Sequence, residues 1–210
     1  MRLLTLATDG SIRGESGDLI AVVDDGNPLD AHWRIPVSDA PMIVAWTGTL
    51  ADGLFACEPR NWMGQGATQF GARCDALAPA LVADERTLAW RPHARHVLSD
   101  HPSALVFMKE HGAPFGLALD PAALFEPSML DVAEDHLERI FTALGPLASL
   151  VLLHDVTVDE AGDTCTPLPF GHGRLPASVL ADLVARFVPA GTPVVVQTEA
   201  DRTSLRHLLD

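Results

Sequence analysis

Several residues able to move a proton or grip an anion stand where apolar runs end in the second half of the chain. Phe115-Gly-Leu-Ala-Leu runs into Asp120, Leu147-Ala-Ser-Leu-Val-Leu-Leu into His154-Asp155, and Pro193-Val-Val-Val into Gln197, with Glu199 two residues on. Leu88-Ala-Trp runs into Arg91-Pro92-His93. Carboxylates and imidazoles are the usual general acids and bases, and together they also suit a divalent cation. Asp120, His154 and Glu199 are therefore the candidate catalytic groups. Arg91, His93, Asp155 and Gln197 are the candidate substrate contacts. Each has a plainer explanation. Asp120 reads as a strand-end counter-ion for Arg91, and this is the reading we favour. His154 and Asp155 are adjacent, and neighbours on a strand point to opposite faces, so both line one pocket only if the strand has already ended. His93 and His96 lie three apart and could form a metal pair, but solvated histidines are commoner. Cys165 has no histidine partner in sequence, and Gly171-x-Gly173 reads as a turn rather than a phosphate loop.

The runs that carry these residues are continuous and apolar, as in strands buried on both faces of a parallel sheet. Helical patterns separate them. Ala67 to Ala83 places Phe70, Cys74, Leu77 and Leu81 on one face; Pro102 to Lys109 is begun by Asp100 or by His101-Pro102; Leu130 to Leu144 ends at Gly145-Pro146. Pro176 to Phe187 and Ala200 to Leu209 read as two more helices, and Val156 to Gly173 as a polar loop. From Met42 onward the order is β-α-β-α-β-α-β-α, which implies right-handed crossovers between parallel strands. Pattern alone allows an open sheet or a closed barrel. The first 50 residues differ: Leu3 to Ala7, Leu19 to Val23 and Met42 to Trp46 are strand-like, with turn compositions and no helix between them.

Composition narrows the function classes. The chain has 210 residues, 48% of them hydrophobic, which suits one globular domain spanning 1–210. Asp and Glu number 28 against 14 Lys and Arg, a net charge of −14. That balance argues against nucleic-acid backbones and anionic membranes as partners. No apolar stretch approaches a membrane span. Three widely spaced cysteines suggest neither a disulfide framework nor a thiolate zinc site, so a reducing cytoplasm is expected.

The order and the strand-end residues from Pro41 onward resemble the xylose-isomerase-like TIM barrels, the sugar phosphate isomerase/epimerase superfamily that includes the endonuclease IV type. Leu88-Ala-Trp-Arg-Pro-His93 is similar to the family's fifth strand, Gly116-Leu-Ala-Leu-Asp-Pro-Ala-Ala-Leu124 to its sixth, Leu152-Leu-His-Asp155 to its seventh and Pro193 to Gln197 to its eighth. The resemblance implies an α/β fold, a TIM-type parallel (β/α) barrel shortened or incomplete in its N-terminal part. It also implies a metal at the barrel mouth that polarises a sugar oxygen while carboxylates move the proton. The family's ligands are mostly replaced: Arg91 stands for a glutamate, Ala123, Leu152 and Cys165 for histidines, Trp46 for an earlier histidine, and Gln197 for the last glutamate. Asp120 keeps the sixth strand's aspartate, and His154-Asp155 match the end of the seventh strand's His-x-His-Asp pattern.

The expectation is thus a divergent barrel without a metal cofactor that binds a small carbohydrate-like ligand or a partner without catalysing a reaction. The alternative is a sugar or sugar-phosphate isomerase/epimerase with a rearranged site at the C-terminal rim, where a divalent metal such as Mn or Zn would enter only through that rearrangement. Arg91 is expected to pair with Asp120 or Glu199, and Asp120, His154 and Gln197 to gather at the ends of neighbouring parallel strands.

Overall fold

The structure, a computed structural model, describes residues 2–209. Ten strands and five helices follow one another: β1 (Arg2–Thr5), β2 (Ser11–Arg13), β3 (Leu19–Asp24), β4 (Met42–Trp46), α1 (Gly64–Ala83), β5 (Thr87–Arg91), α2 (His101–Glu110), β6 (Phe115–Leu119), α3 (Ala133–Leu144), β7 (Ala148–Leu152), β8 (His154–Val158), β9 (Cys165–Pro169), α4 (Ala177–Phe187), β10 (Pro193–Val196) and α5 (Glu199–Leu209). Eight strands form one sheet in the order β1-β10-β7-β6-β5-β4-β3-β2. The sheet comes round on itself, because Leu6 just beyond β1 bridges Ile12 of β2. The result is an α/β barrel of the TIM type. All its hydrogen-bonded neighbours are parallel except β2, which runs antiparallel to β3.

The first three strands are joined by turns instead of helices. Asp9-Gly10 makes the first turn: Gly10 adopts φ +78°, and a side chain there would come within 2.9 Å of the Val23 carbonyl oxygen. Only glycine meets both conditions at little cost. β2 is three residues long, too short to stand out as an apolar run, and reverses the chain between β1 and β3.

Side-chain alternation divides the core into layers. Leu4, Ile12, Ala21, Val44, Ala89, Ala118, Leu150, Leu152 and Val195 fill the barrel. The intervening residues face outward. Ile43, Ala45, Leu88 and Trp90 pack under α1 and α2. Leu117, Leu119, Val151, Leu153, Val194 and Val196 pack under α3, α4 and α5. α1 starts at Gly64, three residues before the expected start, and α3 starts at Ala133, the preceding segment forming a 3₁₀ turn over Pro127–Val132.

One segment departs from the sequence expectation. Residues 156–173 are not an open polar loop: β8 and β9 pair antiparallel as a separate hairpin, with His154 opposite Pro169 and Val158 opposite Cys165. Both prolines of β9 are tolerated because the hairpin has only two strands and both are edges. Among the described residues no helix is long and apolar enough to cross a membrane.

Candidate functional site

Alternation along the barrel strands decides which polar residues face the mouth. Val44, Ala89, Ala118 and Leu152 point into the barrel, so Trp46, Arg91, Asp120 and His154, each two residues on, point the same way at the C-terminal end. There they meet. Arg91 donates from Nε (3.1 Å) and Nη2 (2.5 Å) to Asp120 Oδ2, and His154 Nδ1 lies 3.0 Å from the same oxygen. Asp120 Oδ1 accepts from the Ala123 N–H at 3.4 Å. The flat face of the Arg91 guanidinium lies on the Trp46 ring, 3.8 Å from its centre.

All three charged or titratable members of this set are buried. Burial by itself would raise the Asp120 pKa; the charges and hydrogen bonds of His154 and Arg91 outweigh it and hold this carboxyl well below the usual carboxylate range. Asp120 is thus an ionised counter-ion with both oxygens engaged.

Beside the triad, the loop after β5 folds back as a cluster of rings. His93 and His96 lie 4.8 Å apart, His96 stacks on Phe55 at 5.6 Å, and the edge of Trp46 meets both imidazoles. The two histidines do not form a solvated pair or a metal pair. His96 Nε2–H donates to the Leu54 carbonyl at 2.9 Å, and His93 Nδ1 accepts from the Arg95 N–H at 3.0 Å. These bonds assign the neutral tautomer carrying its proton on Nε2 to both rings. Burial lowers the His93 pKa to about 3, helped by His96 and Arg91, and burial lowers the His96 pKa to about 4.

Arg91 and Asp120 of the triad, with Trp46, Phe55 and His93 of the ring cluster, border a cavity of about 280 Å³. Trp46, Phe55 and Phe125 supply aromatic walls, and Arg91, His93 and Asp120 supply polar atoms. The β8–β9 hairpin forms the outer wall through Val156 and Thr164 to Pro167. Cys165 stands in that wall, and burial pushes its thiol up to about 11, away from the thiolate form. Arg95 ties the mouth together: it donates to the Phe55 carbonyl at 3.2 Å and the Asp163 carbonyl at 2.7 Å, and its Nε reaches Glu126 at 3.3 Å. Buried Asn61 fixes the β4–α1 loop through Thr49 Oγ1, Leu50 N–H and the Arg95 carbonyl.

The remaining expected residues lie elsewhere. His154 is behind Asp120 and does not border the cavity. Asp155 points outward, opposite to His154, as strand alternation requires. It is fully buried, and its carboxylate accepts from the N–H groups of Val156 (2.7 Å), Gly173 (2.6 Å) and Leu175 (2.8 Å). It holds the end of the hairpin and is no ligand contact. Gln197 follows the end of β10; its side chain makes no hydrogen bond with any described residue and it does not border the cavity. Glu199 is not on the Arg91 side: it pairs with Arg202 at 2.7 Å and accepts from Thr5 Oγ1 at 3.3 Å, beside β1. The Arg91 partner is therefore Asp120 and not Glu199. Phe55, Phe125 and Arg95 border or brace the cavity and were not marked by any sequence pattern, being loop residues brought in from three separate connections.

No known family profile and no curated protein sequence matches the chain. Solved structures do match it. A xylose isomerase domain protein from Planctomyces limnophilus superposes with a TM-score of 0.55 at 11% identity, over 81% of this chain and 57% of that one. A xylose isomerase-like TIM barrel protein from Mycobacterium smegmatis, solved in complex with magnesium, gives 0.52 at 13% identity over 81% and 61%. The probable 3-DHS dehydratase involved in petrobactin synthesis from Bacillus anthracis gives 0.59 at 11% identity over 92% and 77%. At these identities the likeness establishes the fold alone, a TIM-type α/β barrel. The chain spans about 57–61% of the first two of these structures.

Proposed function

We propose that this barrel is a binding protein whose mouth holds a small organic molecule without a metal ion, and that the Arg91 guanidinium stands where a barrel of this kind would hold a cation. The Arg91–Asp120–His154 triad carries the reading. A divalent ion needs several oxygen or imidazole donors in reach of one point. Here one carboxylate is available, and Arg91 already fills its Oδ2. Among the described residues no three His, Cys, Asp or Glu side chains gather as a ligand set. The donor set does not fit a divalent cation, and a guanidinium beside it would repel one.

The groups facing the cavity also make poor proton carriers near neutral pH. Asp120 is held ionised far below neutrality, and His93 is held neutral down to about pH 3. A general acid or base works best when its pKa lies near the working pH. His154, which could relay a proton, has Asp120 between it and the cavity. An isomerase or epimerase with a rearranged site would need such a group at the cavity wall.

The test is elemental analysis of protein purified without chelators or a metal-binding tag, paired with ketose epimerisation assays in added Mn²⁺, Zn²⁺ or Mg²⁺. The expected outcome is metal far below one ion per chain and no turnover. Near-stoichiometric metal retained through dialysis, or metal-dependent turnover, overturns the proposal.

A further inference from the structure

The walls of the same cavity indicate which class of molecule it takes, given the metal-free binding reading above. A sugar carries a hydroxyl on nearly every carbon, and each one buried without a partner is costly. A sugar site therefore needs polar groups on all sides. This cavity has its charged and ring-nitrogen groups on one side only. Trp46, Phe55 and Phe125 present ring surface, and the hairpin adds Val156 and Pro167, with Thr164 and Thr166 as its only hydroxyl side chains.

The polar side offers donors and almost no free acceptors. Arg91 spends Nε and Nη2 on Asp120, and its Nη1 has no partner among the described residues. His93 uses Nδ1 as an acceptor for Arg95, so its remaining nitrogen is an N–H donor. Both residues border the cavity. Asp120 Oδ2 is saturated by Arg91 and His154, and its Oδ1 faces the Ala123 N–H. Cavity volume sets the size. About 280 Å³, at roughly 30 Å³ per water-sized occupant, accommodates on the order of ten non-hydrogen atoms.

We propose that the ligand is a compact, largely apolar molecule of about one ring, carrying a single accepting oxygen group, carboxylate or carbonyl, that meets Arg91 and His93. The rings lie against Trp46, Phe55 and Phe125. Polyols are poor ligands because most of their hydroxyls would face these rings.

The experiment uses the full chain, with its metal content determined on the same sample. Ligand-observed NMR and calorimetry compare benzoate, benzamide, cyclohexanecarboxylate, D-fructose and D-xylose. Benzoate against benzamide distinguishes a required anion from a required oxygen. Two variants locate the site. Thr166→Trp places a ring at the exposed rim of the hairpin and should abolish binding with the melting temperature unchanged. His93→Phe keeps a ring and removes the donor, and should weaken binding by about tenfold, the worth of one good hydrogen bond. Binding of at least one ring compound, lost in Thr166→Trp, with both sugars inactive, is the expected result. A sugar bound as well as the ring compounds in metal-free protein overturns the inference and leaves the metal-free binding reading standing. Failure of every ring compound to bind, or binding that survives Thr166→Trp, also overturns it. Retained metal or sugar turnover instead strikes the underlying reading.

Discussion

Replacing Arg91 by methionine should be among the most damaging single changes in this barrel. The substitution keeps the side-chain length over Trp46 and removes the charge that two of the Asp120 hydrogen bonds require. Asp120 is only 2% exposed, so it cannot recover the loss from water. Breaking a buried ion pair on one side typically costs about 3–5 kcal/mol, because the other charge stays buried and unpaired. For a domain of this size each kcal/mol moves Tm by about 2–4 °C, which gives a fall of roughly 6–20 °C. Removing both charges, as in Arg91→Met with Asp120→Leu, should return most of that loss, since well-packed apolar replacements of a buried pair are often neutral. A double-mutant cycle by urea denaturation at neutral pH reads the coupling. The acid limb adds a second check. The folded-state pKa of Asp120 is depressed below its unfolded value, so its contribution is present above about pH 4 and is lost as pH falls further. Arg91→Met should flatten that limb. A loss below about 1 kcal/mol in Arg91→Met, or single losses that simply add in the double variant, would refute the claim that the triad holds the mouth together.

Three other outcomes follow from the buried groups. His93 and His96 have folded-state pKa values lowered to about 3 and about 4, so the unfolded chain binds protons first as pH falls. Stability should drop by about 2 kcal/mol for each histidine between pH 7 and pH 5, and His96→Phe should roughly halve that drop in denaturant titrations; a profile flat over this range contradicts the burial argument. Asp155→Ala strands three N–H groups and should cost about 3 kcal/mol or more by chemical denaturation. Gly173→Ala should be harmful at the same place, because a Cβ there would stand 2.3 Å from the Val156 carbonyl oxygen and 2.5 Å from Asp155 Oδ1. An Asp155→Ala variant as stable as the parent would show that the hairpin end is held by other contacts.

The parts of this fold that repeat a local rule could be read from the sequence. Strands β5, β6, β7 and β10 are continuous apolar runs, and the helices after them carry their own periodicity. The same alternation that puts Ala89 and Ala118 inside the barrel puts Arg91 and Asp120 at its mouth, so Asp120 stands in the sequence as one of two candidate partners for Arg91, beside Glu199. It also separated His154 from Asp155. What could not be read depends on non-local pairing or on short pieces. β2 has three residues, and β9 contains Pro167 and Pro169, which weaken any strand signal. The hairpin wall of the cavity therefore reads as a loop in the sequence. Phe55 and Arg95 belong to loops, where no period marks them, and their roles arise from contacts across 40 and 68 positions of chain. Glu199 was placed beside Arg91 because both follow buried strands. The barrel is wide enough that ends of strands lying far apart around the sheet do not meet.

The pairing of β1 with β10 constrains how such a chain can be finished. Arg2 lies opposite Pro193 and Thr5 opposite Val196, so β1 receives its parallel neighbour only after the chain has been made through Val196. At about 5–20 residues per second, a ribosome needs on the order of ten to forty seconds to cover that distance. Through that interval one edge of β1 has no partner, and exposed strand edges invite pairing with other chains. The reversed β2 offers early cover on the opposite side, since Leu6 can bridge Ile12 as soon as the Asp9-Gly10 turn forms. The helix-free opening of this barrel thus covers the chain just past its first strand, at Leu6, and β10 covers the strand's other edge.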